Sequence, residues 1–365
     1  MHPDTYSRLA LSRMPNIGPK LFRNLIHHFT SAEEVFRART QELCLVDGIA
    51  EKTASAFNNK DCAFREAETI MRHAERHNIS IRCCLDDNFP SRMQQHTGAA
   101  AILYYYGEAD IDNPRTLAIV GTREMSSNGA RQIERILDPL VDFSPLVVSG
   151  LAYGVDICAH RRSLQVGLPT LAVMGSGFDR IYPQAHSKTA LRMAENGGGV
   201  LTAYPFWSKP EKDHFPARNR VVAMLSDLTV VVESAARGGS MITARMAYEL
   251  GRKVGACPGR GGDLLTEGCN NLIKTGRAHL IESADDIVEL LGWKGHATGR
   301  QQRLFEDLEP AEQALVDHLR DRDGVEIDEL HLALQQPPAH LASLLLMLEM
   351  KGIITALPGH RYRLC

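Results

Sequence analysis

Hydrophobic and polar residues follow two different patterns on either side of Leu117. Before that residue, apolar positions recur at helical spacing, which predicts a bundle of short helices. After it, short apolar runs alternate with longer amphipathic stretches. The runs predicted to be buried strands are Leu117–Val120, Leu146–Val148, Leu171–Met174, Val200–Ala203, Leu228–Val232 and Val254–Cys257. Strands that are apolar on both faces and separated by helices are typical of a parallel sheet, so we predict a doubly wound α/β domain.

The first hundred residues carry helices predicted near 4–12, 18–29, 31–38, 50–57 and 61–77. Gly48-Ile49-Ala50 followed by Ala54 resembles the core of a helix-hairpin-helix module, which presents backbone N–H groups to DNA phosphates. The alternative is a plain turn between two helices, because a glycine that ends a helix needs no ligand.

A polar stretch with Gly295, Thr298 and Gly299 follows the α/β region and is predicted to be a linker. Beyond it, three helices near 310–320, 327–335 and 338–350 precede a β-hairpin, which is the order of a winged helix. The predicted segments are a helical domain (of the SAM or helix-hairpin-helix type) at 1–80, the α/β domain at 81–292, a linker at 293–307 and a winged helix at 308–365.

The formal net charge of −3 gives no sign of a nucleic-acid partner for the chain as a whole. The charge is unevenly distributed, however. Residues 301–365 hold 6 Lys and Arg against 11 Asp and Glu, so the tail carries −5 and the remaining residues carry +2. We therefore expect the tail to repel DNA and to contact protein, and any basic site to be local to the α/β domain.

Composition excludes several classes of protein. No window approaches about 18 uninterrupted apolar residues, so no membrane span is predicted. The start has no secretory signal, and the eight cysteines show no C-x-x-C spacing, which indicates reduced thiols and a cytoplasmic location. No P-loop and no complete dinucleotide fingerprint are present, so we predict neither a metal nor a cofactor.

Small residues follow four of the predicted strands. Because ligands of open parallel sheets bind beyond the carboxyl ends of the strands, these loops are the candidate site. Glycine lets a ligand approach the backbone, and a helix N-terminus favours an anion such as a phosphate. The candidate residues are Gly121, Thr122, Arg123 and Ser126, then Ser149 and Gly150, then Gly175, and finally Gly238, Gly239 and Ser240.

A second element combines cations with aromatic rings just before the fifth strand. Its cations are Lys209, Lys212, Arg218 and Arg220, its rings are Trp207 and Phe215, and the residues named for the site are Phe215, Arg218, Asn219 and Arg220. Stacking on aromatic rings and pairing with phosphates are what a single-stranded nucleic acid site requires. The alternative is a solvated helix face entered by a Phe-Pro turn, but the neighbouring phosphate-type loops favour the nucleic-acid interpretation.

No catalytic constellation is evident. Asp156 and His160 share a helical face, and we expect them to form a buried hydrogen bond and not a metal site. A nucleotide-binding hydrolase of the lysine-decarboxylase-like group is the alternative function; its carboxylate pair would come from Asp156, Asp179 and Glu233. Base reading by the winged helix is not expected, because its third helix, residues 339–350, has no Arg or Lys.

The ordered motifs resemble the DNA-processing protein A (DprA, or Smf) family. They span about residues 119–276 and include IVGTREMS (119–126), VSGLAYGVDICAH (148–160), MGSGFDRIYP (174–183), FPARNRVVA (215–223) and GGSMITA (238–244). The one departure noted within them is Val155, where the family usually has Ile.

This resemblance implies an extended Rossmann-like core that binds single-stranded DNA in a basic pocket, forms a homodimer and delivers the strand to the RecA recombinase during natural transformation. Carried over by motif, Arg123, Arg218, Asn219 and Arg220 would hold phosphates, Phe215 would stack on a base or shape the pocket, and residues 238–240 would present backbone N–H groups. The dimer surface would lie late in the core, near Leu264–Leu280.

Overall fold

The computed structural model describes residues 4–294, 310–319, 324–334, 336–350, 353–357, 359 and 361–364. They belong to two compact units that divide after Lys294. None of the described helices is long and apolar enough to cross a membrane.

The first unit opens with six helices that bury a continuous apolar core. Helix α1 packs along α6, and Leu9, Phe22, Leu25 and Ile70 are fully buried at the centre of the bundle. The helices are α1 (Thr5–Arg13), α2 (Pro19–Phe29), α3 (Ala32–Arg37), α4 (Thr40–Leu43), α5 (Glu51–Ser55) and α6 (Asp61–Arg76).

A nine-stranded sheet follows, in the order β1-β2-β6-β5-β4-β3-β7-β8-β9. From β6 to β9 all neighbouring strands pair in parallel. The strands are β1 (Ser80–Cys83), β2 (Ile102–Gly107), β3 (Thr116–Val120), β4 (Leu146–Ser149), β5 (Thr170–Met174), β6 (Gly199–Thr202), β7 (Leu228–Val231), β8 (Lys253–Ala256) and β9 (His279–Leu280).

Helices connect the strands of this sheet. They are α7 (Ser91–Gln94), α8 (Ser127–Leu137), α9 (Val155–Val166), α10 (Ser187–Glu195), α11 (His214–Leu225), α12 (Gly239–Glu249), α13 (Glu267–Lys274) and α14 (Ala284–Leu291). Strands β3, β4, β5 and β7 are buried along their whole length, as strands covered on both faces must be. The predicted doubly wound, Rossmann-like fold is therefore confirmed.

The sheet differs from the prediction at both edges: β9 pairs in parallel with β8 at one edge, and two antiparallel strands stand at the other. Strand β2 pairs antiparallel with β6, and β1 pairs antiparallel with β2. Both lie between the last predicted N-terminal helix, at 61–77, and Leu117, where no strand was predicted. They extend the edge of the sheet beside β6, and the N-terminal helices share one apolar core with them.

The second unit has the element order of a winged helix, as predicted. Its three strands form an antiparallel sheet in the order β10-β12-β11. Its elements are α15 (Pro310–Leu319), β10 (Val325–Glu326), α16 (Ile327–Leu334), α17 (Pro338–Met350), β11 (Ile354–Leu357) and β12 (Arg361–Leu364). Leu341, Leu344, Leu345 and Leu348 of α17 are buried in the unit's own core. Residues 295–307 of the predicted linker lie outside the described residues.

Candidate nucleic-acid interface

A cleft of about 430 Å³ opens at the carboxyl ends of β3, β4 and β7. The chain moves from β3 outward to β6 on one side and from β7 outward to β9 on the other, so the strand order reverses between β3 and β7. This is the position where doubly wound sheets bind ligands. The predicted site residues that line the cleft are Gly121, Thr122, Arg123, Gly150, Phe215, Arg218, Asn219, Gly238, Gly239 and Ser240.

Arg218 is a buried cation in the wall of this cleft. Its Nη1 lies 3.7 Å from the Asp156 carboxylate and 3.4 Å from the Val173 carbonyl oxygen, and its buried Nε has no hydrogen-bond partner among the described residues. Burial lowers the pKa of Arg218, while Asp156 acts in the opposite direction. Burial raises the pKa of Asp156, and Arg218 opposes that rise. An anion at Arg218 would add a charge-assisted partner to a guanidinium that has lost most of its hydration.

Gly150 allows Arg218 to occupy this place. A Cβ atom at position 150 would lie 1.4 Å from Arg218 Nη1 and 2.4 Å from Asp156 Oδ2. Any larger residue at Gly150 must therefore displace the guanidinium. The glycine predicted as a point of ligand approach is in fact a point of close approach within the protein.

Phe215 lies close to two guanidinium groups. The Cζ atoms of Arg123 and Arg218 are each 5.9 Å from the centre of its ring. These distances are within the range of cation–π interaction. The arrangement places a π-face and two cations together, which allows a base to stack while its phosphate pairs with an arginine.

The N-terminus of α12 supplies uncapped backbone donors. Gly238 occupies the N-cap position with extended backbone and has no side-chain cap, and a Cβ atom at Gly239 would meet only open space. The Ser240 hydroxyl turns inward and donates to Ser234 Oγ at 2.8 Å. The Gly238 N–H donates to the Ala235 carbonyl oxygen at 3.0 Å, so the backbone donors that the helix can present to the cleft, with its positive dipole end, are those of Gly239 and Ser240.

The lining of the cleft is positively charged. It contains three cations, Arg123, Lys212 and Arg218, and among its described residues Asp156 is the single carboxylate. Lys212 belongs to the cationic stretch predicted before the fifth strand, although it was not among the residues named for the site itself.

Four predicted site residues lie outside the lining of the cleft. Ser126 caps α8, and both its N–H and its hydroxyl donate to the Glu233 carboxylate. Ser149 donates to the Ile119 carbonyl oxygen at 2.6 Å inside the core. The Gly175 carbonyl oxygen lies 3.1 Å from His214 Nδ1, and Arg220 borders a different cavity. The α8 N-terminus is thus occupied by an internal carboxylate, which sequence spacing could not reveal.

The predicted Asp156–His160 hydrogen bond is wrong. His160 Nδ1 lies 2.7 Å from Thr170 Oγ1, and Asp156 faces Arg218 instead. The two residues share the sequence spacing of one helical face, but α9 is buried on several sides and the two side chains contact different neighbours. Burial lowers the pKa of His160 to about 3.

The carboxylates named for the hydrolase alternative are not assembled in the cleft. Asp156 borders it, but Glu233 holds Ser126 and Asp179 lies 3.0 Å from His73 Nε2. Of these three, only Asp156 is found among the described residues that line the cleft. The residues present favour holding an anionic chain over general acid and base chemistry.

Fold and cleft together define a class of protein: a Rossmann-like α/β protein with a cationic, aromatic cleft at the switch point, preceded by helices and followed by a winged helix. Family models specify it further. The model described as DNA recombination-mediator protein A matches residues 80–292, the DprA winged helix domain matches 301–360, and the DprA-like N-terminal HHH domain matches 2–38. The chain belongs to the DprA family.

Individual relatives agree with this assignment. Protein Smf of Synechocystis is 29% identical over 97% of both chains. The crystal structure of DNA processing protein A from Streptococcus pneumoniae is 30% identical with a TM-score of 0.66, over 79% of this chain and 98% of that one. The structure of the Helicobacter pylori protein, which concerns its single-stranded DNA binding mode, is 28% identical with a TM-score of 0.54, over 60% of this chain and 97% of that one.

The family match also bears on the N-terminal region. The helix-hairpin-helix model ends at residue 38, so the hairpin predicted at Gly48–Ala54 lies outside the matched residues. Gly48 has a φ of +87°, which a glycine tolerates at the turn between α4 and α5.

Proposed function

We propose that this protein binds single-stranded DNA in the cleft, without strong sequence preference, and acts as a recombination mediator. The observation that carries the proposal is the grouping of Arg123, Lys212 and Arg218 around Phe215, opposite the uncapped N-terminus of α12. Phosphates would pair with the cations and the backbone N–H groups, and a base would stack on the ring. None of these contacts depends on the identity of the base.

In the proposed mechanism the protein is a binder and not an enzyme, and it uses neither a metal nor a cofactor. It covers incoming strands in the cytoplasm and transfers them to RecA during natural transformation. Support for the DNA step comes from the Helicobacter pylori relative, whose solved structure concerns single-stranded DNA binding. Transfer to RecA rests on the family resemblance alone.

A homodimer is the proposed working form, with its contact in the segment Leu264–Leu280. Both end residues are exposed large hydrophobic side chains, and 73% of Leu264 is accessible. Exposed apolar residues of this size favour contact with another protein surface. The acidic tail is proposed to meet a protein partner, because its charge opposes DNA.

The cleft is tested by replacing its cations. Arg123→Ala with Arg218→Ala removes two of the three positive charges of the lining and is expected to lower affinity by a similar factor for oligonucleotides of any sequence. Because Arg218 is buried, Arg123→Ala with Lys212→Ala serves as a second variant in which both replaced residues are exposed. Affinity is measured by fluorescence anisotropy with labelled 20-mers.

The matched control replaces two exposed arginines outside the lining, Arg131→Ala with Arg192→Ala. It changes the net charge by the same amount and should leave affinity within about twofold. If the Arg123/Lys212 variant binds as tightly as this control, the cleft is not the DNA site. RecA filament formation on the same strands tests the second step, since variants that do not hold the strand should not stimulate it.

A further inference from the structure

A second cavity of about 270 Å³ lies beside the cleft, between the N-terminal helices and the sheet. Residues of α1 and of the turn after it form one wall, and α11 forms another. The ends of β5 and β6 and residues 98–104 complete the enclosure. Its volume is close to the lower end of the range of small-molecule sites, about 300 Å³.

The walls of this cavity are apolar and built from small residues. Five alanines border it: Ala99, Ala100, Ala101, Ala203 and Ala217. Two tyrosines also border it: Tyr104 is 1% exposed and belongs to the packed core, so the accessible ring is that of Tyr204, which stacks on His214 with ring centres 3.9 Å apart. Small side chains beside fixed rings leave a slot that suits a flat molecule.

Arginines supply the polar part of the lining. Arg13 is paired with Glu66 at 2.8 Å, whereas Arg220 is exposed and the described part of the chain shows it no ion-pair partner. Arg218 borders both this cavity and the proposed DNA cleft, and no described residue forms a hydrogen bond with its buried Nε. A buried donor of this kind is destabilising until an acceptor reaches it.

We infer that the cavity binds one nucleobase, supplied either by the strand held in the cleft or by a free nucleotide. A base has a flat π-surface for the slot, and its carbonyl and ring nitrogen atoms accept hydrogen bonds from arginine. The shared Arg218 places the base site next to the phosphate site. If the base belongs to a bound strand, the inference rests on the proposed function of the cleft. If it belongs to a free nucleotide, it does not.

The test narrows the cavity from the α11 side with Ala217→Trp. Ala217 is exposed at its position in the helix, so the indole can enter the slot without replacing a core residue. Ala203→Leu narrows the cavity from the sheet side and serves as a second variant if the first is unstable. Ala50→Trp is the control, because Ala50 is exposed and lies outside both linings.

Three probes are used: a thymidine 15-mer, an abasic strand with the same number of phosphates, and free dTMP and dGMP. The parent is expected to prefer the 15-mer over the abasic strand. Ala217→Trp should reduce that preference roughly tenfold, within the range expected for one stacked base, while leaving affinity for the abasic strand unchanged. Phe215 is present in both proteins, so a difference between parent and variant in the preference for the 15-mer over the abasic strand measures the contribution of the cavity.

Each outcome has one meaning. Loss of the base preference in Ala217→Trp but not in Ala50→Trp supports a base supplied by the strand. Binding of dTMP or dGMP by the parent but not by Ala217→Trp supports a free nucleotide. If neither loss is seen in the folded Ala217→Trp and Ala203→Leu variants, the inference is overturned. Failure of the parent to bind the abasic strand counts instead against the phosphate cleft of the proposed function.

Discussion

Gly150 has no Cβ atom, and a Cβ atom built at this position would lie only 1.4 Å from Arg218 Nη1. We expect Gly150→Ala to displace the guanidinium and lower affinity for single-stranded DNA about tenfold, comparable to losing one charge-assisted contact of roughly 1.5 kcal/mol. Anisotropy titrations measure this loss. Gly261→Ala is the control, because a Cβ atom there meets open space. Equal affinity of the two variants would refute the role given to Gly150.

His160 makes the stability of the protein depend on pH. Burial lowers its pKa to about 3, against 6.5 when exposed, so between these values the unfolded chain binds a proton that the folded chain does not. The contribution of this residue is complete above pH 6.5 and falls as the pH drops. At pH 5 we expect the free energy of unfolding to be about 2 kcal/mol lower than at pH 7.5 from this group alone.

Urea unfolding at the two pH values measures the effect, with His160→Gln as the comparison. The variant has no imidazole to protonate, so its stability should fall less between pH 7.5 and 5 than that of the parent. Equal falls in both proteins would show that His160 is not the responsible group.

The sequence predicted which residues come together where a motif combined residue types suited to one role, such as arginines and an aromatic ring. Arg123, Phe215 and Arg218 meet in the cleft as their motifs predicted. The sequence did not predict the partner of Ser126. That partner, Glu233, is 107 positions away and comes close only because β3 and β7 are adjacent. Contacts that depend on strand order are absent from local spacing.

Among the helices, α8 has an N-terminus whose capping residue, Ser126, is already hydrogen-bonded to a carboxylate of the protein itself. Glu233 is 2% exposed and accepts hydrogen bonds from the Ser126 N–H and hydroxyl. We expect Glu233→Ala to lower the free energy of unfolding by about 2–3 kcal/mol, since it removes buried hydrogen bonds to a charged group. It should leave DNA affinity of the folded protein within threefold, because Glu233 does not line the cleft.

Chemical denaturation and anisotropy on the same sample measure both quantities. Glu195→Ala, at an exposed position, is the control and should change neither. A large loss of DNA affinity in folded Glu233→Ala would mean that the α8 terminus takes part in binding.

Strands and helices were predictable where their apolar pattern was long or unbroken. Six of the seven parallel strands, β3 to β8, were predicted because both faces of each are apolar, whereas β9 has only two residues, both exposed, and was not. The short β1 and α7 have four residues each, which is too few for a period to appear. Strand β2 is a run of apolar and aromatic residues, and nothing local indicated that it would pair antiparallel with β6.

For the whole molecule, net charge proved a poor guide and local charge a better one. The chain carries −3, yet three cations and one carboxylate line the cleft. If each cation neutralises one phosphate of a single strand, log affinity should fall against log salt with a slope of about −2. Titrations between 50 and 300 mM NaCl measure it, and Arg123→Ala should reduce the slope by about 0.7. A slope near zero would contradict phosphate binding.

The strand order has a consequence for synthesis of the protein on the ribosome. Strand β3 needs β7, made more than a hundred residues later, before its second edge is covered. The cleft takes Arg123 and Gly150 from the early part of the chain and Phe215 and Gly238 from the late part. In a nascent chain, therefore, neither the central strands nor the cleft is complete until β7 and the loop after it have emerged, so the folding of the sheet and the assembly of the proposed DNA site coincide.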